Sequence, residues 1–352
     1  MYDCIRYQLM TFALCLGFTV IPLGLWSQEA VIGIGVHSFF DNPEFGIGGI
    51  KPSRTEAGVQ LGGVAGFRWD TTSAVMAGFS GIHEYGSKTS FTATTPIVYY
   101  SAHQEHLRYY IGAFPRRETI GNYPRMFFRD SVASYRTVLN GVFYELRGKG
   151  VFANAWLDWT GHRTFEDRES FLVGLSAGWN YRRFHTRLFG YLFHYAFSAN
   201  PDVEESLYDN GLQLLTVGVD LTGLIPIDEA DVTIGHSIGM ERNRALDRFH
   251  MPQGFLAELR LGHYGFGIVN SFYCGDPQQV FPEHGSQLYW GDPVYRQSLY
   301  NRTDFSYTFV HLRQVQIAFT YSLHTGDRGV GHEQMLHLYA DLANCLDFIR
   351  RH

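Results

Sequence analysis

The chain has 352 residues, of which 16% are aromatic and 18% charged, with 38 glycines and a formal charge of −6. Charged residues fall below the quarter usual in soluble domains, and no basic stripe runs among the aromatics, which excludes a nucleic-acid partner. Four cysteines are too few for a disulfide-stapled scaffold.

At the N-terminus, Arg6 precedes an apolar run from Leu9 to Trp26, and small Ser27 stands before a plausible cleavage point. Residues 1–28 are therefore expected to be an export signal and 29–352 a single mature domain. Removing the signal leaves Cys274 and Cys345, expected at opposite ends of the fold and unpaired. No later stretch supplies the ~20 consecutive apolar residues of a spanning helix.

From there the pattern has period two, the signature of strands. In the clearest case Phe171, Val173, Leu175, Ala177, Trp179 and Tyr181 share one face, and Gly174, Ser176, Gly178, Asn180 and Arg182 the other. Val315, Ile317, Phe319, Tyr321 and Leu323 repeat it against Gln316, Thr320, Ser322 and His324. Such segments fall at 30–40, 57–68, 73–84, 90–101, 106–115, 134–147, 151–160, 170–182, 184–196, 209–221, 230–241, 253–262, 265–274, 302–311, 314–324 and 333–342. Connectors alternate between short turns and long loops, the latter at 41–56, 116–133, 197–208, 242–252 and 275–301. The expected fold is all-β: a transmembrane antiparallel barrel of about 16 strands, with short periplasmic turns and long extracellular loops.

These strands, loops and aromatic strand ends resemble Gram-negative outer-membrane porins and porin-like barrels over nearly all of the mature chain. The resemblance is architectural. It implies an integral outer-membrane protein in contact with outer-membrane lipid, and a wet lumen. The first reading is a channel for passive diffusion of small hydrophilic solutes. The second is a non-conducting scaffold with protein partners in a secretion or surface complex, and the third a lipid hydrolase.

With apolar faces on lipid, Gln60, Arg68, Arg108, Arg136, Asn140, Asn154, Asp158, Asn180, Arg182, His185, Arg187, Asp220, Glu258, Arg260, Asp304 and Gln316 are expected to point inward. No large apolar cluster is expected among them. Loop 116–133 carries Arg116, Arg117, Arg125 and Arg129 among Tyr123, Phe127 and Phe128; loop 275–301 carries Tyr289, Trp290 and Tyr295. Loops this long and aromatic are functional candidates, either folding inward as a constriction, docking a glycan or surface partner, or packing as a lid.

Catalytic motifs are weak. Ser176 and Ser237 each sit in G-x-S-x-G, but inside predicted strands, without the strand-to-helix turn that exposes a nucleophile. His332 and His337 are one position too far apart for a zinc helix. His37-Ser38 and His236-Ser237 are sequence neighbours whose side chains must diverge, while cross-strand Ser–His pairs are invisible at this level. The expectation is a protein with no enzymatic activity, no cofactor and no metal.

Overall fold

The computed structural model describes residues 29–46, 51–69 and 72–341, so the expected export signal and Cys345 lie outside the described residues. The first five strands are β1 (Glu29–Phe45), β2 (Glu56–Trp69), β3 (Ser73–Glu84), β4 (Ala93–His103) and β5 (Leu107–Pro115). Two short helices follow, α1 (Arg117–Ile120) and α2 (Asp130–Tyr135). Then come β6 (Val138–Gly148), β7 (Val151–Gly161), β8 (Ser170–Tyr181), β9 (Phe184–Tyr195), β10 (Tyr208–Asp220), β11 (Glu229–Asn243), β12 (Arg248–His250), β13 (Gln253–His263) and β14 (Phe266–Gly275). A helical turn, α3 (Gly285–Leu288), precedes β15 (Leu299–His311), β16 (Val315–Gly326) and β17 (Gly329–Asp341).

All strands are antiparallel, and β1 pairs with β2 on one side and β17 on the other, so the sheet closes. Strands β12 and β13 follow one another along the same edge of β11. The closed wall therefore has 16 strands, as expected. Several local expectations fail, among them the end of β1, which runs on to Phe45 inside the expected loop 41–56. β6 starts at Val138 because the preceding residues wind into α2. Residues 242–252, expected as a loop, contain the end of β11 and all of β12. The last hairpin turns tightly between Gly326 and Gly329, whose φ of 104° is a left-handed conformation that glycine adopts without strain.

The alternation decides which face meets lipid. Val173, Leu175, Ile234, Phe305, Phe319 and Leu336 are exposed on the outer wall, while their chain neighbours turn inward. An apolar belt of this kind has no place in water and is the surface a bilayer covers. Rings pack together at both ends of the wall, Trp159 on Phe171 at the loop end (5.3 Å) and Phe266 against Tyr307 at the short-turn end (4.5 Å). Asn140 is a correction. It lies in phase with Val142, Tyr144 and Leu146 on the outer face, because Leu139, Phe143 and Glu145 take the inner one.

The lumen is not uniformly wet. Residues 116–137 and 276–298 fold into it and bury Met126, Phe127, Leu288, Tyr289 and Trp290 against Leu139, Phe143, Trp156, Leu172, Phe193 and Leu212 of the wall. The depth is fixed by Tyr123, whose hydroxyl donates to the Leu175 carbonyl (2.7 Å) halfway along β8 and accepts from the Trp156 indole (2.8 Å). Gly174 makes room for that indole, since a Cβ there would lie 2.1 Å from it. The two loops also bond each other, Arg129 N to Trp290 O (2.8 Å) and Asp292 N to Arg125 O (2.9 Å). Gly291 permits that approach, a Cβ there falling 2.1 Å from the Met126 carbonyl. Burial of a large side chain stabilises by about 1.5–3 kcal/mol, so this plug is a packed second core. The expected absence of an apolar cluster was wrong: inward-facing wall residues such as Phe143, Trp156, Leu172 and Phe193 supply its larger share, and the two loops, whose direction the strand pattern does not encode, complete it.

The face assignment now has a test. Leu175→Arg puts a cation on lipid and should cost about 2–4 kcal/mol, read as lost heat-resistant migration of the folded barrel. Ser176→Arg, harmless in a wet lumen, should here also disrupt packing. Ser176 is buried, with its Oγ 2.9 Å from Asn154 Oδ1, under the Tyr123 anchor. A fully stable Ser176→Arg protein would contradict the plug.

Candidate functional site

Three loops and the wall meet in one buried ionic cluster. Arg302 on β15 bonds Asp304 (2.6 Å), and Arg125 from loop 116–137 reaches the same carboxylate (2.9 Å) and Asp130 (3.1 Å). Lys51, in the loop after β1, bonds Asp292 (3.0 Å) and lies 3.4 Å from Glu333 on β17. Burial by itself would raise the Asp130 carboxyl, but Arg125 and Arg302 outweigh it and hold it below its ordinary value. Burial likewise opposes the Lys51 charge, and Asp292 and Glu333 more than restore it. The cluster fastens the plug. Arg302→Leu removes the cation shared by Asp304 and Glu333 and leaves them only Arg125 and Lys51, so it should cost up to about 3–5 kcal/mol, measurable as a lowered midpoint of denaturant unfolding. An unchanged midpoint would mean the cluster carries no net stability.

On the short-turn side of the plug lies a cavity of about 940 Å3. Of the residues expected to point inward or to narrow the lumen, Arg125, Asn180, Arg182, His185, Arg187, Asp220, Glu258, Arg260 and Asp304 do line it. The others do not. Arg116 is buried on Asp158, and Arg108 pairs with Glu145 (3.2 Å). Arg117 stacks on Tyr339 (4.1 Å) and Arg136 on Trp290 (5.1 Å), Arg129 bonds Ser131 (2.9 Å), and Arg68 pairs with Glu29 at the rim (3.6 Å). Among the loop aromatics, Tyr123, Phe127, Tyr289, Trp290 and Tyr295 are buried and Phe128 packs on Trp290 (6.3 Å), so they build the plug. The inward-folding reading of the loops holds; as a constriction of charge it does not, because the arginines are consumed by partners.

The chemically most suggestive pair is on the opposite face. Register places Phe171, His194, Asp209 and Arg242 side by side on β8, β9, β10 and β11. His194 and Asp209 point outward, since their neighbours Phe193 and Asn210 are buried in the lumen. His194 Nδ1 lies 2.7 Å from Asp209 Oδ1, and Arg244 holds the second carboxylate oxygen (2.8 Å). A carboxylate on Nδ1 fixes the proton there and leaves Nε2 with its lone pair outward. Phe171 packs on the imidazole (5.1 Å). The pair stands at the loop end of the wall, next to the long connector 196–207. Sequence reasoning missed both residues, which are fifteen positions apart. The available signal was a His and an Asp each riding in the apolar phase of its strand.

Ser176 and Ser237 face the lumen and are buried in strands without a following helix, so neither is an exposed nucleophile. No serine or threonine hydroxyl among the described residues bonds His194.

Two solved structures share this architecture. A loop-deleted OmpT of Vibrio cholerae is 8% identical with a TM-score of 0.56, covering 90% of this chain and 99% of that one. OmpF of Salmonella typhi, in complex with daunomycin, is 9% identical with a TM-score of 0.52, covering 90% and 98%. At such identity they share the fold alone, that of an outer-membrane barrel. No curated protein matches the sequence. A family model does match, and it overturns the expectation of a protein without enzymatic activity, because its description is that of a deacylase. It spans residues 27–326, most of the chain, which therefore belongs to the lipid A 3'-O-deacylase-type family.

Proposed function

We propose that this barrel hydrolyses an ester-linked acyl chain of lipid A or a closely similar lipid, at the loop end of its outer wall. The observation that carries the reading is the His194–Asp209 pair, 2.7 Å apart and facing lipid where ester groups of an outer-leaflet lipid would lie. His194 Nε2 takes a proton from water as its oxygen bonds the acyl carbon, and the carbonyl electrons move onto oxygen. When the tetrahedral intermediate collapses, the sugar alkoxide leaves and takes the proton from His194. The products are a fatty acid and a free hydroxyl, with no group left on the protein. Asp209 orients the ring and balances the transient imidazolium, and Arg244 orients Asp209.

The channel reading is less well supported, since the plug fills the loop end of the lumen and the remaining cavity is a chamber beneath it. The test is direct. Purified protein in mixed micelles with multiply acylated lipid A should release one fatty acid per lipid, followed by mass spectrometry. Intact lipid after prolonged incubation with folded protein would refute the reading.

A further inference from the structure

We infer that Arg242 supplies the positive charge that stabilises the oxyanion in this hydrolysis, an assignment that rests on the reading of His194 and Asp209 as its base. Three arginines follow one another near the end of β11, and their fates differ. Arg244 is taken by Asp209 (2.8 Å) and Arg248 by Glu283 (3.0 Å). Arg242 has no carboxylate partner among the described residues and is exposed. It is directly opposite Asp209 in register, and its neighbours Glu241 and Asn243 are buried in the lumen, so it faces outward beside the pair.

Neighbouring strands are about 4.8 Å apart, so His194 and Arg242 flank Asp209 from the two adjacent strands. The backbone there is pinned. The fully buried His284 of the plug places its Nε2 3.2 Å from the Arg242 carbonyl oxygen. Leu192 and Met240 carry the surface on toward the bilayer one step below. A cation at the edge of an apolar surface is less screened than one in bulk water, which strengthens its hold on charge that appears only in the transition state. A substrate whose acyl carbon meets water at His194 can turn its carbonyl oxygen toward Arg242. The residue gives and takes no proton.

An uncharged substrate separates this role from capture of an anionic headgroup. On a neutral p-nitrophenyl acyl ester in detergent, Arg242→Gln should lower kcat about 10²–10³-fold with KM little changed. Arg242→Lys should recover part of it. A tetrahedral long-chain alkylphosphonate should bind Arg242→Gln weaker by a comparable factor, a readout independent of turnover. Arg248→Gln is the control and should behave as wild type. If Arg242→Gln leaves kcat and phosphonate binding intact, or raises only KM for phosphorylated lipid, the assignment is overturned. Should His194→Ala retain full activity, the base reading falls instead, and this assignment with it.

Discussion

His194→Ala should lower ester hydrolysis about 10²–10⁴-fold, the usual worth of a positioned general base, while the barrel stays folded. The separation of effects follows from where the ring sits. His194 faces outward, away from the plug and the ionic cluster, and among the described residues its polar contact is with Asp209. Asp209→Asn should approach the same loss, because an amide can present its N–H to Nδ1 and stabilise the wrong tautomer. The charge removed frees only Arg244, already 44% exposed and able to turn to solvent. Wild-type rates of fatty-acid release from both variants would place the chemistry elsewhere on the barrel.

The second large effect concerns conduction. The intact protein should give silent planar bilayers, and removal of residues 117–135 and 277–297, each replaced by a short linker, should give stepwise currents. A 16-strand wall is too wide for its own side chains to fill. Here the filling comes from Tyr123, Met126, Phe127, Leu288 and Trp290, all carried by those two segments. Both must go, since deleting one would leave the apolar side of the other facing water. Steps of equal size from intact and deleted protein would mean that current already passes the plug. Retained heat-modifiable migration of the deleted form is the check on folding.

The wall was legible because its cause is local. Alternation at every second residue reports burial directly, so strands expected at 170–182 and 184–196 are found at Ser170–Tyr181 and Phe184–Tyr195. Turn chemistry was equally local. Tyr264 and Gly265, with φ of 47° and 81°, adopt the left-handed conformations of a two-residue hairpin. The plug was not legible, since Arg116, Phe127 and Trp290 look the same in a loop above the membrane as in one inside the barrel. Their partners Asp158, Tyr191 and Phe193 are strands away. The His–Asp pair depends on register across β9 and β10, which single-strand patterns leave open. Arg302, which strand patterning does not single out, proves to be the hub of the ionic cluster.

On the proposed reading the catalytic pair lies on the outside of a membrane wall and is reached sideways. Its substrate never enters the lumen and need not leave the leaflet, so encounter is a two-dimensional search. The governing quantity is then the mole fraction of substrate in the surrounding lipid or detergent, not its bulk concentration. Adding inert detergent at fixed substrate should slow turnover by surface dilution, and the liberated fatty acid, held in the same plane, should compete as it accumulates.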